Sequence, residues 1–107
     1  MANAVANLTL RPKVIDAICS VYDPEIPVNI HELGLIYDVQ IDDAGKVVIQ
    51  MTLTAPGCPS AQYLPIEVES KVSQVPGVTA VTVEVVWDPP WTPDRMSEAA
   101  RLELGIL

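Results

Sequence analysis

The sequence predicts an α/β (α+β) fold, a small mixed three-stranded sheet with helices packed on one face, in the order helix, strand, strand, helix, strand, helix. Three observations predict it. The apolar residues are mostly Val, Ile, Leu and Ala with no Phe, which suits a β-rich core of branched side chains. Two stretches in which inward apolar residues fall at every second position flank a short Asp- and Gly-containing turn. Stripes of apolar residues at helical spacing stand before and after that pair. With 107 residues and no repeat, low-complexity tract or Gly/Ser linker, Met1–Leu107 is expected to form a single domain.

Prolines mark the boundaries. From Thr9 to Val21, the residues Leu10, Val14, Ile18 and Val21 recur at helical spacing, with Thr9 as cap and Pro12 in the first turn. Asp23 and Pro24 end this helix. The stretch DPEIPVNIHELG then reads as an ordered loop with one helical turn at Ile30 to Leu33, which would hold Asp23 and Glu25 rigidly. Leu35, Tyr37, Val39 and Ile41 alternate with Ile36, Asp38 and Gln40, and beyond IDDAGK the residues Val47, Ile49, Met51 and Leu53 alternate with Gln50 and Thr52. That pattern is a hairpin with one buried face.

Leu64, Val68, Val72 and Val75 form the stripe of the next helix, with Pro65 inside it and Pro76-Gly77 stopping it. Val81, Val83 and Val85 point inward from a third strand, Val78 to Trp87. Thr92, Pro93 and Asp94 open a last helix reaching about Leu104, with Met96, Ala99, Ala100 and Leu104 inward. Each element alone would leave an apolar surface wet, so helices should cover one sheet face. Gln50, Thr52, Thr82 and Glu84 should line a more polar opposite face.

Composition narrows the function. Acidic residues number 14 against 6 basic, a net charge of -8, which disfavours attraction to nucleic acid or anionic lipid. The N-terminus lacks a signal-like basic start and apolar stretch, and no run nears the roughly 18 apolar residues of a membrane span, so a cytoplasmic protein is expected. There Cys19 and Cys58 would remain thiols.

The stretch TAPGCPS, Thr54 to Ser60, leaves a strand and enters a helix at Cys58, where unpaired N–H groups and the helix dipole favour a thiolate. Cys58 is therefore either a functional thiol or a small buried hydrophobe. Thr54 can bond the sulfur or simply the turn. Cys19, within the first helix, needs no explanation beyond packing. Asp23 and Glu25 are candidate acid-base groups or hard-oxygen ligands, or solvated loop carboxylates. His31 is the only histidine, so a closed zinc site within one chain is nearly excluded, and a nucleophile-base pair of Cys58 with His31 would need the fold to bring them together. Trp87, Asp88 and Trp91 are candidates for partner binding, and the tryptophans equally for covering the open end of the sheet.

Three motifs, DPEIPVNIHELGLIYDV, TAPGCP and VWDPPWTPDRMSEAARLELG, together resemble the bacterial SufT family, relatives of the eukaryotic cytosolic iron-sulfur assembly targeting factor and of the PaaD protein of phenylacetate degradation. The likeness runs from about Leu10 to the end of the sequence. It implies the fold derived above and an accessory role in maturing or delivering clusters to recipient proteins, not an enzymatic one. It nominates the acidic loop Asp23, Pro24 and Glu25, the pair Thr54 and Cys58, and the segment Trp87 to Trp91. PaaD-type members carry a further cysteine-rich segment that the residues up to Leu107 do not include, which turns the expectation away from phenylacetate chemistry.

The cargo implied is a transient iron-sulfur cluster or iron at Cys58, with none firmly bound. One thiolate cannot hold a cluster alone, so a second copy in a homodimer, a small thiol or the recipient must complete the site. Expected partners are iron-sulfur assembly proteins and recipient apoproteins. The rival is a metal-free adaptor linking the machinery to its clients, and a thiol enzyme ranks last because so small a domain can scarcely enclose a substrate.

Overall fold

A computed structural model describes residues 2–22, 28–54 and 60–105. The first helix, α1 (Ala2–Ile18), starts seven residues before the expected Thr9 cap and ends before Val21. The added turns come from a stretch with three Ala residues, the strongest helix former, and they place Pro12 in the helix interior instead of its first turn. Its inward stripe is as expected, with Leu10, Val14 and Ile18 buried. The Arg11 guanidinium donates to the Val39 carbonyl at 2.7 Å and ties α1 to the sheet.

Strands β1 (Ile36–Ile41) and β2 (Lys46–Met51) pair antiparallel, and β3 (Ala80–Val85) lies parallel to β2, giving the mixed sheet order β1-β2-β3. The crossover between β2 and β3 is α2 (Ser60–Ser73), whose Leu64, Val68 and Val72 are fully buried. Val39, Ile41, Val47, Ile49 and Met51 face the helices, while Asp38, Gln40, Thr82 and Glu84 stand exposed on the other face. Val81, Val83 and Val85 are only half-buried because β3 is an edge strand.

The structure departs from the expected pattern at further places. The pairing register shifts between Ile36 and Asp38, a bulge that takes Tyr37 out of the alternation. Thr52, expected on the polar face, is completely buried, because β2 ends at Met51 and the pleat does not continue. The single C-terminal helix is two pieces, a 3-10 turn at Pro93–Arg95 and α3 (Glu98–Glu103), separated by extended backbone at Met96 and Ser97. Ser97 explains the break. Its hydroxyl accepts from the Ala100 N–H at 3.0 Å, a cap that starts a new helix. Met96 and Ala100 are buried as expected, Leu104 is half-buried, and Ala99 is exposed.

A turn at residues 29–34 joins these parts. The Asn29 side-chain oxygen accepts from the Glu32 N–H at 2.9 Å, and Gly34 closes the turn at φ +80°. A Cβ at Gly34 would collide with the Arg95 carbonyl oxygen, so the C-terminal segment packs directly on a position only glycine can occupy.

Candidate functional site

The acidic loop and the cysteine loop spring from neighbouring points of one hydrogen-bonded ladder. Tyr22 and Asn29 form an isolated antiparallel bridge that closes the base of the acidic loop, and the Ile30 N–H donates to the Val21 carbonyl at 2.9 Å. The Leu35 N–H donates to the Ile30 carbonyl at 3.1 Å, and the Thr52 N–H donates to the Leu35 carbonyl at 2.8 Å. Three consecutive backbone bonds thus link the base of one loop to the strand end that leads into the other. Asp23, Pro24 and Glu25 lie outside the described residues, as does Cys58. Thr54 is half-buried just beyond the end of β2, and α2 begins at Ser60, so Cys58 precedes the helix by two positions in the sequence.

Sequence patterning missed Thr52. Its hydroxyl is buried and has no hydrogen-bond partner among the described residues. An unpaired buried hydroxyl costs about 1–3 kcal/mol. The only available signal was the end of alternation after Met51, which a period-two pattern does not mark.

The tryptophan segment divides into two roles. Trp91 is half-buried, and its indole N–H donates to the Leu33 carbonyl at 2.7 Å. The Tyr37 hydroxyl donates to the Pro89 carbonyl at 2.8 Å, the Arg95 guanidinium lies 4.8 Å from the centre of the Tyr37 ring, and the Ser97 N–H donates to the Glu32 carbonyl at 2.9 Å. Residues 89–97 therefore strap across residues 32–37. Trp87 and Asp88 remain exposed, Trp87 by 46%. Of the candidates for partner binding, these two present accessible side chains while Trp91 is committed to its own chain.

The remaining candidates separate clearly. Cys19 is a free thiol whose pKa is pushed up, first by burial and then by the Glu32 and Asp16 carboxylates, so it stays protonated at neutral pH. His31 is exposed on the 29–34 turn. No group of three or more His, Cys, Asp or Glu side chains among the described residues is placed to hold a metal ion. Also among the described residues, no helix is long and apolar enough to cross a membrane.

A sequence profile described as iron-sulfur cluster assembly protein matches residues 11–85. The chain belongs to that family. The matched span contains both the Asp23–Glu25 and the Thr54–Cys58 motifs and stops before Trp87. The "Fe-S protein maturation auxiliary factor" of Porphyromonas gingivalis is 48% identical over 100 residues, 94% of this chain and 95% of that protein. The "Fe-S protein maturation auxiliary factor SufT" of Staphylococcus aureus is 41% identical over 86 residues, 80% of this chain and 98% of that one. A crystal structure of a Bacillus anthracis domain of unknown function superimposes with a TM-score of 0.89 at 42% identity, covering 98% of this chain and 100% of that one. The resemblance to the SufT family seen in the three motifs is thereby established across the chain.

Proposed function

We propose that this member of the iron-sulfur cluster assembly family is a non-enzymatic accessory factor that helps deliver clusters to recipient apoproteins, with Cys58 as the exchanging ligand. The observation that carries the reading is the family match over residues 11–85, which takes in both motif loops of a chain whose ladder ties their bases together. Two named maturation factors align along nearly their whole lengths. Acidic surface charge and the lack of a spanning helix among the described residues agree with a role in the cytoplasm, away from nucleic acid and membrane.

In this reading the cluster is cargo. A thiolate at Cys58, just ahead of α2, would be favoured by the positive end of the helix. The sulfur would bind iron as one ligand, and thiolates of the recipient would replace it by ligand exchange without change of oxidation state. A second copy or a small thiol would complete the coordination until then. Asp23 and Glu25 would tune access, and Thr54 would support the loop. Cys19 is unsuited to the task because its thiol resists ionisation.

The second reading, a metal-free adaptor, is favoured by the exposed Trp87 and Asp88 on an acidic surface. Complementing cells that lack the protein with native chain or Cys58→Ser separates the two. Loss of iron-sulfur enzyme activity with the variant, at equal protein level, is the result expected of the carrier. Full activity with the variant would leave the adaptor.

A further inference from the structure

Between Tyr22 with the residues from Val28 to Glu32 and α3 lies an open cleft of about 130 Å³. Tyr22, Val28 and Glu32 line it from one side, Ala99, Ala100 and Glu103 from the other. A water occupies ~30 Å³ of liquid and cofactor-sized ligands need pockets of ~300 Å³ or more, so the cleft is of a size for the end of one extended side chain. Its chemistry is two-part. Val28, Ala99 and Ala100 contribute apolar lining, Glu32 and Glu103 contribute acidic residues, and Tyr22, 54% exposed, borders it as well.

Among the described residues no lysine or arginine lines the cleft, and Arg101, on the same helix as Glu103, is not among its walls. Asn29 also borders it, but its side-chain oxygen is already used by the Glu32 N–H, which fixes the backbone that carries the Glu32 carboxylate. Apolar walls that take an aliphatic stem, carboxylates that take a cation and an aromatic face beside them match a basic side chain. An acidic or a purely apolar side chain would bury charge against charge or leave the carboxylates unused.

We infer that this cleft is a docking site for a single lysine or arginine side chain of a partner protein. Its two halves come from different parts of the chain. Tyr22, Val28 and Glu32 belong to the span that the family profile matches, whereas Ala99, Ala100 and Glu103 lie beyond it, in the segment strapped on by Trp91 and Ser97. Tyr22 and Val28 flank the Asp23–Glu25 motif in the sequence. The inference rests on the delivery reading for its biological sense, though not for its test.

The test is titration of the full chain with Nα-acetyl-lysine amide, followed by amide proton-nitrogen correlation spectra, with the uncharged Nα-acetyl-norleucine amide as control. The expected result is saturable movement of the Asn29, Glu32, Ala99, Ala100 and Glu103 signals with the lysine probe only, and about fivefold weaker binding by the Glu32→Gln, Glu103→Gln double variant. Equal movement with the norleucine probe would mean an apolar occupant and overturn the proposal. So would undiminished binding by the folded double variant, or movement confined to other residues. Iron loading of the same samples keeps the two ideas apart. A chain that loads iron through Cys58 but ignores lysine refutes the cleft alone, and one that binds lysine but never iron refutes the carrier alone.

Discussion

Trp91 donates its indole N–H to the carbonyl of Leu33, at 2.7 Å and across 58 positions of sequence. That bond anchors a C-terminal strap to the turn that leads out of the acidic loop. It gives the second tryptophan of the WDPPW stretch a structural task which the exposed Trp87 does not share.

Trp91→Phe keeps a ring in place and removes the donor, so the Leu33 carbonyl loses its partner. Urea denaturation should show a loss of about 1 kcal/mol, whereas Trp87→Ala should change stability by no more than ~0.5 kcal/mol. Equal losses at the two positions would contradict the division of roles.

Gly34→Ala meets two obstacles at once. The φ of +80° is unfavourable for any side chain, and the added Cβ would collide with the Arg95 carbonyl oxygen. A loss of about 2 kcal/mol or more is expected by denaturation, together with loosening of the strap in hydrogen exchange at Met96 and Ser97. A neutral substitution would mean that the strap is not seated on the turn.

Thr52→Val replaces a buried hydroxyl, unpartnered among the described residues, with a methyl of the same shape. Removing a polar group that has no partner relieves a desolvation cost, so stability should hold or rise by up to about 1 kcal/mol. A clear loss would reveal a bond made by this hydroxyl.

Cys19 carries the pH prediction. Its pKa lies above the usual 9.0 because burial and the nearby Glu32 and Asp16 carboxylates oppose the thiolate. A raised folded pKa means that the protonated form is favoured in the native state. The associated stabilisation is full below 9.0 and is lost as pH climbs through the higher folded value. In Cys58→Ser, where Cys19 is the remaining thiol, alkylation by iodoacetamide should be slow at neutral pH and accelerate only above 9.0. Rapid alkylation near neutrality would contradict the environment described for Cys19.

The elements that pack by period were readable in the sequence. Val14 and Ile18, Val47 and Ile49, Leu64 and Val68 all fall on the faces their spacing predicts, because each repeats within one regular element. Thr52 was not readable, since the strand stops one residue earlier and burial past a strand end depends on what packs there. The division of the last helix was hidden for a similar reason. Ser97 is an ordinary polar residue until its hydroxyl caps the Ala100 N–H, and the Met96 side chain is buried from extended backbone as well as it would be from a helix. The Trp91 bond to Leu33 is a tertiary choice between two compatible roles that the sequence left open. The motif segments of the candidate site are nominated by residue types alone, the Pro-Gly-Cys-Pro sequence at 56–59 above all. The ladder from Val21 through Leu35 to Thr52, which ties their bases together, is long-range pairing that no local pattern encodes.

The central claim is that Cys58 exchanges iron-sulfur cargo, and anaerobic reconstitution with iron and sulfide tests it most directly. The native chain should gain bound iron and a visible chromophore that Cys58→Ser lacks, with the iron per chain indicating whether two copies share a cluster. Equal iron and an unchanged spectrum in the two proteins would contradict the account.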